Sequence, residues 1–393
     1  MIGRGAEVNI MRGKYLSSYD AVLVNNELLL FNSACGLLMK YNVEDFSYKV
    51  EAQIKYDKAC VKRLIKAGRD IFLVFLNKKG IIKYNLDTHI TEIYGGDDTL
   101  LEKHQKIWGA FINDCNIWLF PTYISGKIAF FNIRTKKQEE YMSIKNLFKL
   151  KGIALKEEDY VSNLHQLGNK IWAAVCGTTY VFSFSLVDKK MQIFDTKCDD
   201  ITSFHYDGKD FWIYTAKERC IINWNPEYGQ CEEYYIDSEV NIGEDECFWF
   251  ICSAYNKIFM IPYLDYNILV IERNSGICSS LGFAEHFFRV DNKLSLSLFG
   301  GCLMQKNKLI LLPNAVNQIV ICNLINNKIE FCEGKLYQKD YERYYLLEVF
   351  GAEIYMEVAE YPLEQFIGVL KMYNNSTQCN SKENVGKKIY KNM

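Results

Sequence analysis

Seven short apolar runs recur along the chain: "LLLFN", "IFLVF", "IWLFP", "IWAAV", "FWIYT", "IFMIP" and "LILLP". They begin at Leu28, Ile71, Ile117, Ile171, Phe211, Ile258 and Leu309, at intervals of 43, 46, 54, 40, 47 and 51 residues. A turn signal such as "NNE", "GRD", "DGKD" or "KNK" precedes each run, and Asn and Gly suit the positive φ of tight hairpins. A second apolar run follows and closes at Asn42, Asn85, Asn132, Ser185, Asn225, Glu272 and Asn323, 14 residues past the start in six copies and 15 in one. Five of these seven closing residues are Asn, which bonds its own backbone and tolerates left-handed φ, so they are read as turn residues rather than ligands. Pro121, Pro262 and Pro313 each fall four residues after the start of a run. Proline is excluded from a central ladder but accepted at a strand end, so the three mark one recurrent exit.

With an apolar strand before each turn ("AVLV", "FHY", "WFICSA") and a weaker one after each Asn ("TEIY", "QEEYMSI", "MQIFDT", "CEEYYID", "KIEFCEG"), each copy reads as four strands in roughly 40–54 residues. One such unit cannot bury both faces alone, and neighbours on either side explain the near-continuous apolar strands. The expected fold is all-β: a seven-bladed β-propeller of four-stranded antiparallel blades, with a short, partly helical C-terminal tail. A ring of six or eight blades, or a pair of β-sandwiches, are the other arrangements, and the constant offset argues against the sandwiches. The expected propeller covers 1–339, with blades near 17–60, 61–105, 106–155, 156–198, 199–245, 246–296 and 297–339. Residues 6–16 are expected to supply a strand that closes the ring, so that deleting 1–16 should lower thermal stability. An extension follows over 340–393, with an amphipathic helix near 362–373 opened by Pro362 and with Leu363, Phe366, Ile367 and Leu370 on one face. It is read as a helix against the propeller's side, or more sharply as a partner-docking peptide. On this repeat pattern, over about residues 17–337, the chain resembles the Kelch and WD-repeat propeller superfamily and is similar to bacterial Kelch-like propellers. It lacks the Gly-His…Trp-Asp signature of WD repeats, and its paired glycines, Gly95-Gly96 and Gly300-Gly301, do not share a register.

Composition narrows the function. Net charge is −2 and only nine of the 46 basic residues are Arg, which speaks against nucleic acid and against an anionic membrane as partner. No apolar run reaches the length that spans a bilayer, and the first residues lack a secretory signal pattern. The 14 Cys are scattered through strand-like runs with no CxxC pair, as reduced, buried thiols of a cytoplasmic protein would be.

The motifs of phosphate-binding loops, zinc proteases, serine hydrolases and EF-hands are absent, and no catalytic residue, metal ligand or cofactor is assigned. The five His (His89, His104, His165, His205 and His286) lack metal-ligand spacing. His104, His165, His205 and His286 fall near the starts of inner strands, where some seven-bladed lyases keep a central His. Fold logic locates recognition on the face that gathers the loops between second and third strands and between blades. The binding-face candidates are Trp108, Tyr123, Lys217, Arg219, Trp249, Tyr263, Tyr266 and His286. Trp108 and Trp249 both stand nine residues before their runs, and either pack between blades or offer a stacking platform. The expected role is a non-catalytic scaffold for a protein or peptide. A glycan-active lyase or hydrolase, or a carbohydrate-binding propeller, is the alternative.

Overall fold

The structure is a computed structural model that describes residues 18–33, 36–44, 47–54, 60–78, 80–95, 101–238, 240, 248–262, 267–282, 299–314 and 318–333. These belong, save Glu333, to one compact unit, Leu16–Cys332. The closing strand and the tail helix expected from the sequence lie outside the described residues.

Seven four-stranded antiparallel sheets follow one another along the chain, and each takes its strands in sequence order, forming a ring of blades. Blade three is representative, with strands Ile107–Asn113, Asn116–Pro121, Lys127–Asn132 and Lys137–Ser143. The first strands of neighbouring blades lie against one another, as Val61–Ala67 does against Ile107–Asn113, so first strands surround the axis. The seven second strands cover the runs read from the sequence, that of blade four stopping at Ala174, one residue short, and all seven third strands end at the residues read as closing positions. Pro121, Pro262 and Pro313 each end a second strand.

The cores lie between blades. Along Lys170–Ala174 of blade four, Ile171 and Ala173 join a cluster with blade three, while Trp172 and Ala174 join one with blade five. Phe211 and Ile213 face blade four in the same way, and Trp212 and Tyr214 face blade six. Successive strand side chains point to opposite faces, and here both faces are interior, so the strand reads as unbroken apolar sequence.

The closing Asn make the turns expected of them. Asn132 Oδ1 accepts from the N–H groups of Arg134 (3.1 Å) and Thr135 (2.9 Å), and Asn85 and Asn225 do the same for the residues two and three further on. The left-handed residue is not the Asn itself, however. It stands four positions later, at His89, Lys136, Lys189, Gly229, Gly276 and Asn327.

The widest interval, between blades three and four, contains a feature the sequence reading missed. A six-residue helix, Ile144–Lys149, follows the fourth strand, capped by Ser143, whose Oγ accepts from Asn146 N–H. It buries Ile144, Leu147 and Phe148 in the core shared by the two blades. Ile144 had been read as the last residue of a strand.

Gly300 and Gly301 have a packing role. A Cβ at Gly300 would run into the carbonyl oxygen of Ser18, and one at Gly301 into that of Tyr19. Ser18 N–H in turn donates to Pro313 O at 2.8 Å. The stretch leading into blade one thus lies directly on blade seven, and the ring closes there by backbone contact.

Candidate functional site

Two places gather polar and aromatic side chains: the loop face where blades three and four meet, and the axis. In an antiparallel blade that starts innermost, the connection between second and third strands emerges on the same side as the connection to the next blade. The turns between strands one and two, and three and four, emerge on the other.

On the loop face, residues 122–126 join the second and third strands of blade three, and both neighbouring connections hold them. Thr122 N–H donates to Lys106 O (2.8 Å), Val161 N–H to Thr122 O (2.9 Å), Ile124 N–H to Asp159 O (3.0 Å) and Lys145 N–H to Ile124 O (2.8 Å). Tyr123 forms a β-bridge with Tyr160. Gly126 is required here, because a Cβ would meet His104 O and the Pro121 ring. The His104 ring lies 5.1 Å from that of Tyr123 and its Nδ1 is 3.0 Å from Ser125 Oγ, while Lys103 Nζ stands 5.2 Å from the Tyr123 ring centre. Tyr160 is 47% exposed. The result is an aromatic and cationic platform on a loop with little freedom to move.

The other sequence candidates are dispersed. Trp108 sits on the inner strand of blade three. Its indole N–H donates to Ser162 O (3.2 Å), and Lys62 Nζ lies 3.7 Å from its ring centre, so it links blades two, three and four near the axis. Lys217 pairs with Asp199 on blade five. Arg219 donates from Nη2 to the carbonyls of Asp237 (3.1 Å) and Val240 (2.6 Å), tying its loop to the connection into blade six. Tyr263, Tyr266, His286 and the side chain of Trp249 lie outside the described residues. Tyr123 is therefore the candidate brought into a cluster, with Tyr160, Lys103 and His104 as neighbours. Tyr160 escaped the sequence reading because it lies in the widest interval, where no repeat register points to it.

At the axis, Asp20 and Arg63 form an ion pair at 3.6 Å, with side chains 17% and 29% exposed. Asp20 Oδ2 accepts from Leu64 N–H at 2.9 Å. The Arg63 guanidinium lies 5.8 Å from the Phe111 ring of blade three, and its charge acts on His165 of blade four and Cys302 of blade seven. Arg63, on the inner strand of blade two, thus meets the stretch leading into blade one and the inner strand of blade three. On the inner strands of blades four and five the rings of His165 and His205 are 5.8 Å apart, and His205 is 5.6 Å from Phe250 of blade six. His165 Nε2 lies 3.2 Å from Phe204 O, and His205 Nε2 3.3 Å from Phe248 O. A carbonyl can only accept, so both Nε2 atoms carry the proton, and each imidazole fastens its blade to the next.

These surroundings move several titrations. Burial, helped by the Arg63 charge, pushes His165 down to about 4, against the pull of the Phe204 carbonyl. Burial and the neighbouring His165 push His205 down as well, so both are neutral at pH 7. Burial raises Asp20, opposed by Arg63. Burial and the like charge of Arg63 push Lys62 down to about 7, while the Trp108 face favours its charged form. None of Asp20, Lys62 or Arg63 figured among the sequence candidates, although "VKRLIKA" puts two adjacent cations inside an otherwise apolar inner strand.

The blades and axis define a seven-bladed β-propeller, and comparison with solved structures agrees. Virginiamycin B lyase from Staphylococcus aureus superposes with a TM-score of 0.54 at 12% identity, over 76% of this chain and 92% of that one. YCF48 bound to D1 peptide gives 0.54 at 9% identity, over 78% and 93%. The Cps50 (Swd1) β-propeller domain from Myceliophteria thermophila gives 0.51 at 10% identity, over 80% and 96%. At such identities the likeness is one of fold. No protein-family model matches the sequence, and no curated protein matches it.

Proposed function

We propose that the protein is a non-catalytic scaffold that receives a protein or peptide on its loop face, with the Tyr123–Tyr160 platform at the centre of the contact. The observation that carries this is the clamping of residues 122–126 by both adjoining connections. Aromatic side chains on a backbone that is already ordered give large contact area at low entropic cost, which is how binding surfaces are built. Lys103 and His104 beside them suit a partner segment with an acceptor or carboxylate near its aromatic or apolar anchor. One structural neighbour, YCF48, was solved with a peptide bound, so the fold is compatible with this role. A Kelch- or WD-like repeat lineage and a cytoplasmic setting belong to the same reading. Among the described residues no helix is long and apolar enough to cross a membrane.

The second reading, an enzyme acting on a glycan, draws on the His165–His205 pair at the axis and on the lyase among the structural neighbours. The scaffold is preferred because both imidazoles commit their Nε2–H to a backbone carbonyl of the next blade, and Asp20 is engaged by Leu64 N–H and Arg63. The test is affinity capture from the native cell with wild type, with Tyr123→Ala/Tyr160→Ala, and with Tyr228→Ala/Tyr255→Ala on the opposite face. A partner kept by the last variant and lost by the first supports the loop face. The reverse pattern rejects it.

A further inference from the structure

His165 and His205 stand at one register on the inner strands of blades four and five, each six residues before its apolar run. Their ring centres are 5.8 Å apart. Each directs its Nε2–H to a backbone carbonyl, His165 to Phe204 O (3.2 Å) and His205 to Phe248 O (3.3 Å), so each Nδ1 carries a bare lone pair. The His205 side chain is 1% exposed, and its Nδ1 is buried with no partner among the described residues. Nδ1 of the half-buried His165 makes no hydrogen bond among them either. Two adjoining imidazoles thus hold lone pairs that no protein donor meets.

An orphaned buried acceptor is costly, and native proteins retain one where something else satisfies it. A ring N–H given to a backbone carbonyl, with the other nitrogen left bare, is how metal-binding histidines are oriented. Two imidazoles that hold one ion in line between them, about 2 Å from each nitrogen, have ring centres roughly 6 Å apart, and the observed spacing fits. Among the described residues no third His, Cys or carboxylate joins the pair. That selects the ion. Zinc sites take three or four protein ligands, whereas two neutral nitrogens offer a divalent ion neither a full set nor a negative charge to offset its burial. A monovalent d10 ion needs only two such donors, and imidazole suits copper. We propose that His165 and His205 bind one monovalent copper ion through their Nδ1 atoms, in nearly linear two-coordination, joining blades four and five. This site is independent of the loop-face reading: Tyr123 and Tyr160 take no part in it.

The test uses the full chain under anaerobic, reducing conditions, with its accessible thiols alkylated first because the 14 Cys would otherwise compete for copper. Cu(I) is titrated against the chelator bicinchoninate, Zn(II) serves as the comparison ion, and X-ray absorption reads the donor atoms. The alkylated wild type should take up one equivalent of Cu(I), with two nitrogen neighbours and no sulfur. His165→Gln and His205→Gln keep an N–H for the carbonyl but lose the imidazole lone pair. Each should weaken uptake by more than the roughly 10–100-fold that loss of an outer-shell partner costs. Should either variant fail to fold, X-ray absorption on the wild-type chain still decides. Absence of saturable Cu(I) uptake by the alkylated wild type overturns the proposal, and a water molecule then donates to the pair. Sulfur among the neighbours of the bound copper, or full uptake by both folded variants, overturns it as well. Zn(II) bound as tightly as Cu(I) overturns the choice of a monovalent ion.

Discussion

At the junction of blades five and six, side chains carry the contact; at the junction of blades seven and one, the backbone does. The Asp207 carboxylate, in the first turn of blade five, accepts from Trp212 Nε1 (2.9 Å), from Ser253 N–H (2.7 Å) and Oγ (2.8 Å) of blade six, and from the N–H groups of Lys209 and Asp210 (2.9 Å each). Ser203 and His205 add bonds to Phe248 O. Where the ring closes, Gly300 and Gly301 let Ser18 and Tyr19 lie against blade seven, and Ser18 N–H bonds Pro313 O. The fastened side is held by side-chain hydrogen bonds from blade five into blade six. The closing side brings Asp20 and Arg63 together, and Arg63 Nε has no partner among the described residues.

Substitutions at the two junctions should separate these modes. The largest loss is expected for Asp207→Ala, which strands the indole N–H of the buried Trp212 and an N–H of blade six and should cost roughly 4 kcal/mol, read by denaturant unfolding. Asp207→Asn, which keeps one acceptor, should cost less than half of that. Gly301→Val should cost about 3 kcal/mol, because a Cβ meets the Tyr19 backbone rather than a side chain that could swing away. Equal tolerance of valine at Gly301 and at an open position such as Gly208, after allowing for the latter's positive φ, would contradict closure by backbone contact.

Acid acts one junction earlier, where His165 of blade four bonds Phe204 O of blade five. His165 is held at about 4 in the fold against an ordinary value near 6.5 when unfolded. The unfolded chain therefore takes up a proton first. Stability is complete above about pH 6.5, falls as the pH drops toward 4, and levels off below that, for a loss of about 3 kcal/mol from this group. Unfolding followed across this window should show the slope, and His165→Phe should flatten it. The smallest effect belongs to the closing Asn residues. Asn132→Ala removes a two-bond turn cap on the surface and should cost about 1 kcal/mol, and Asn85→Ala the same within error, with no change at either junction.

The blades were legible because their signals are local. An apolar run, a proline exit and an Asn turn at a fixed offset each report on a few neighbouring residues, and the ring repeats them. The helix Ile144–Lys149 was not legible: six residues are too few to show a helical period, and its apolar side chains continue a strand-like run. The axis was legible only in part. His165, His205 and Phe111 all stand six residues before the start of their apolar runs, so a comparison at that register brings them together. Arg63 stands eight before, and Asp20 lies ahead of its blade's first strand. They meet the others only because the chain closes on itself, which no local pattern records. On the loop face, Tyr123 was found from its place after the Pro121 exit, whereas Tyr160 joins it through a bridge that depends on how the long connection folds back.

The loop-face account stands or falls on one quantitative comparison. The partner captured by the wild-type chain is titrated against wild type, against Tyr123→Ala/Tyr160→Ala, and against Tyr228→Ala/Tyr255→Ala, whose tyrosines are 80% and 59% exposed on the hairpin face. The platform predicts at least a tenfold loss of affinity, about 1.4 kcal/mol, in the first variant with an unchanged melting temperature, and no loss in the second. Full affinity in the first variant, or a loss confined to the second, would contradict it.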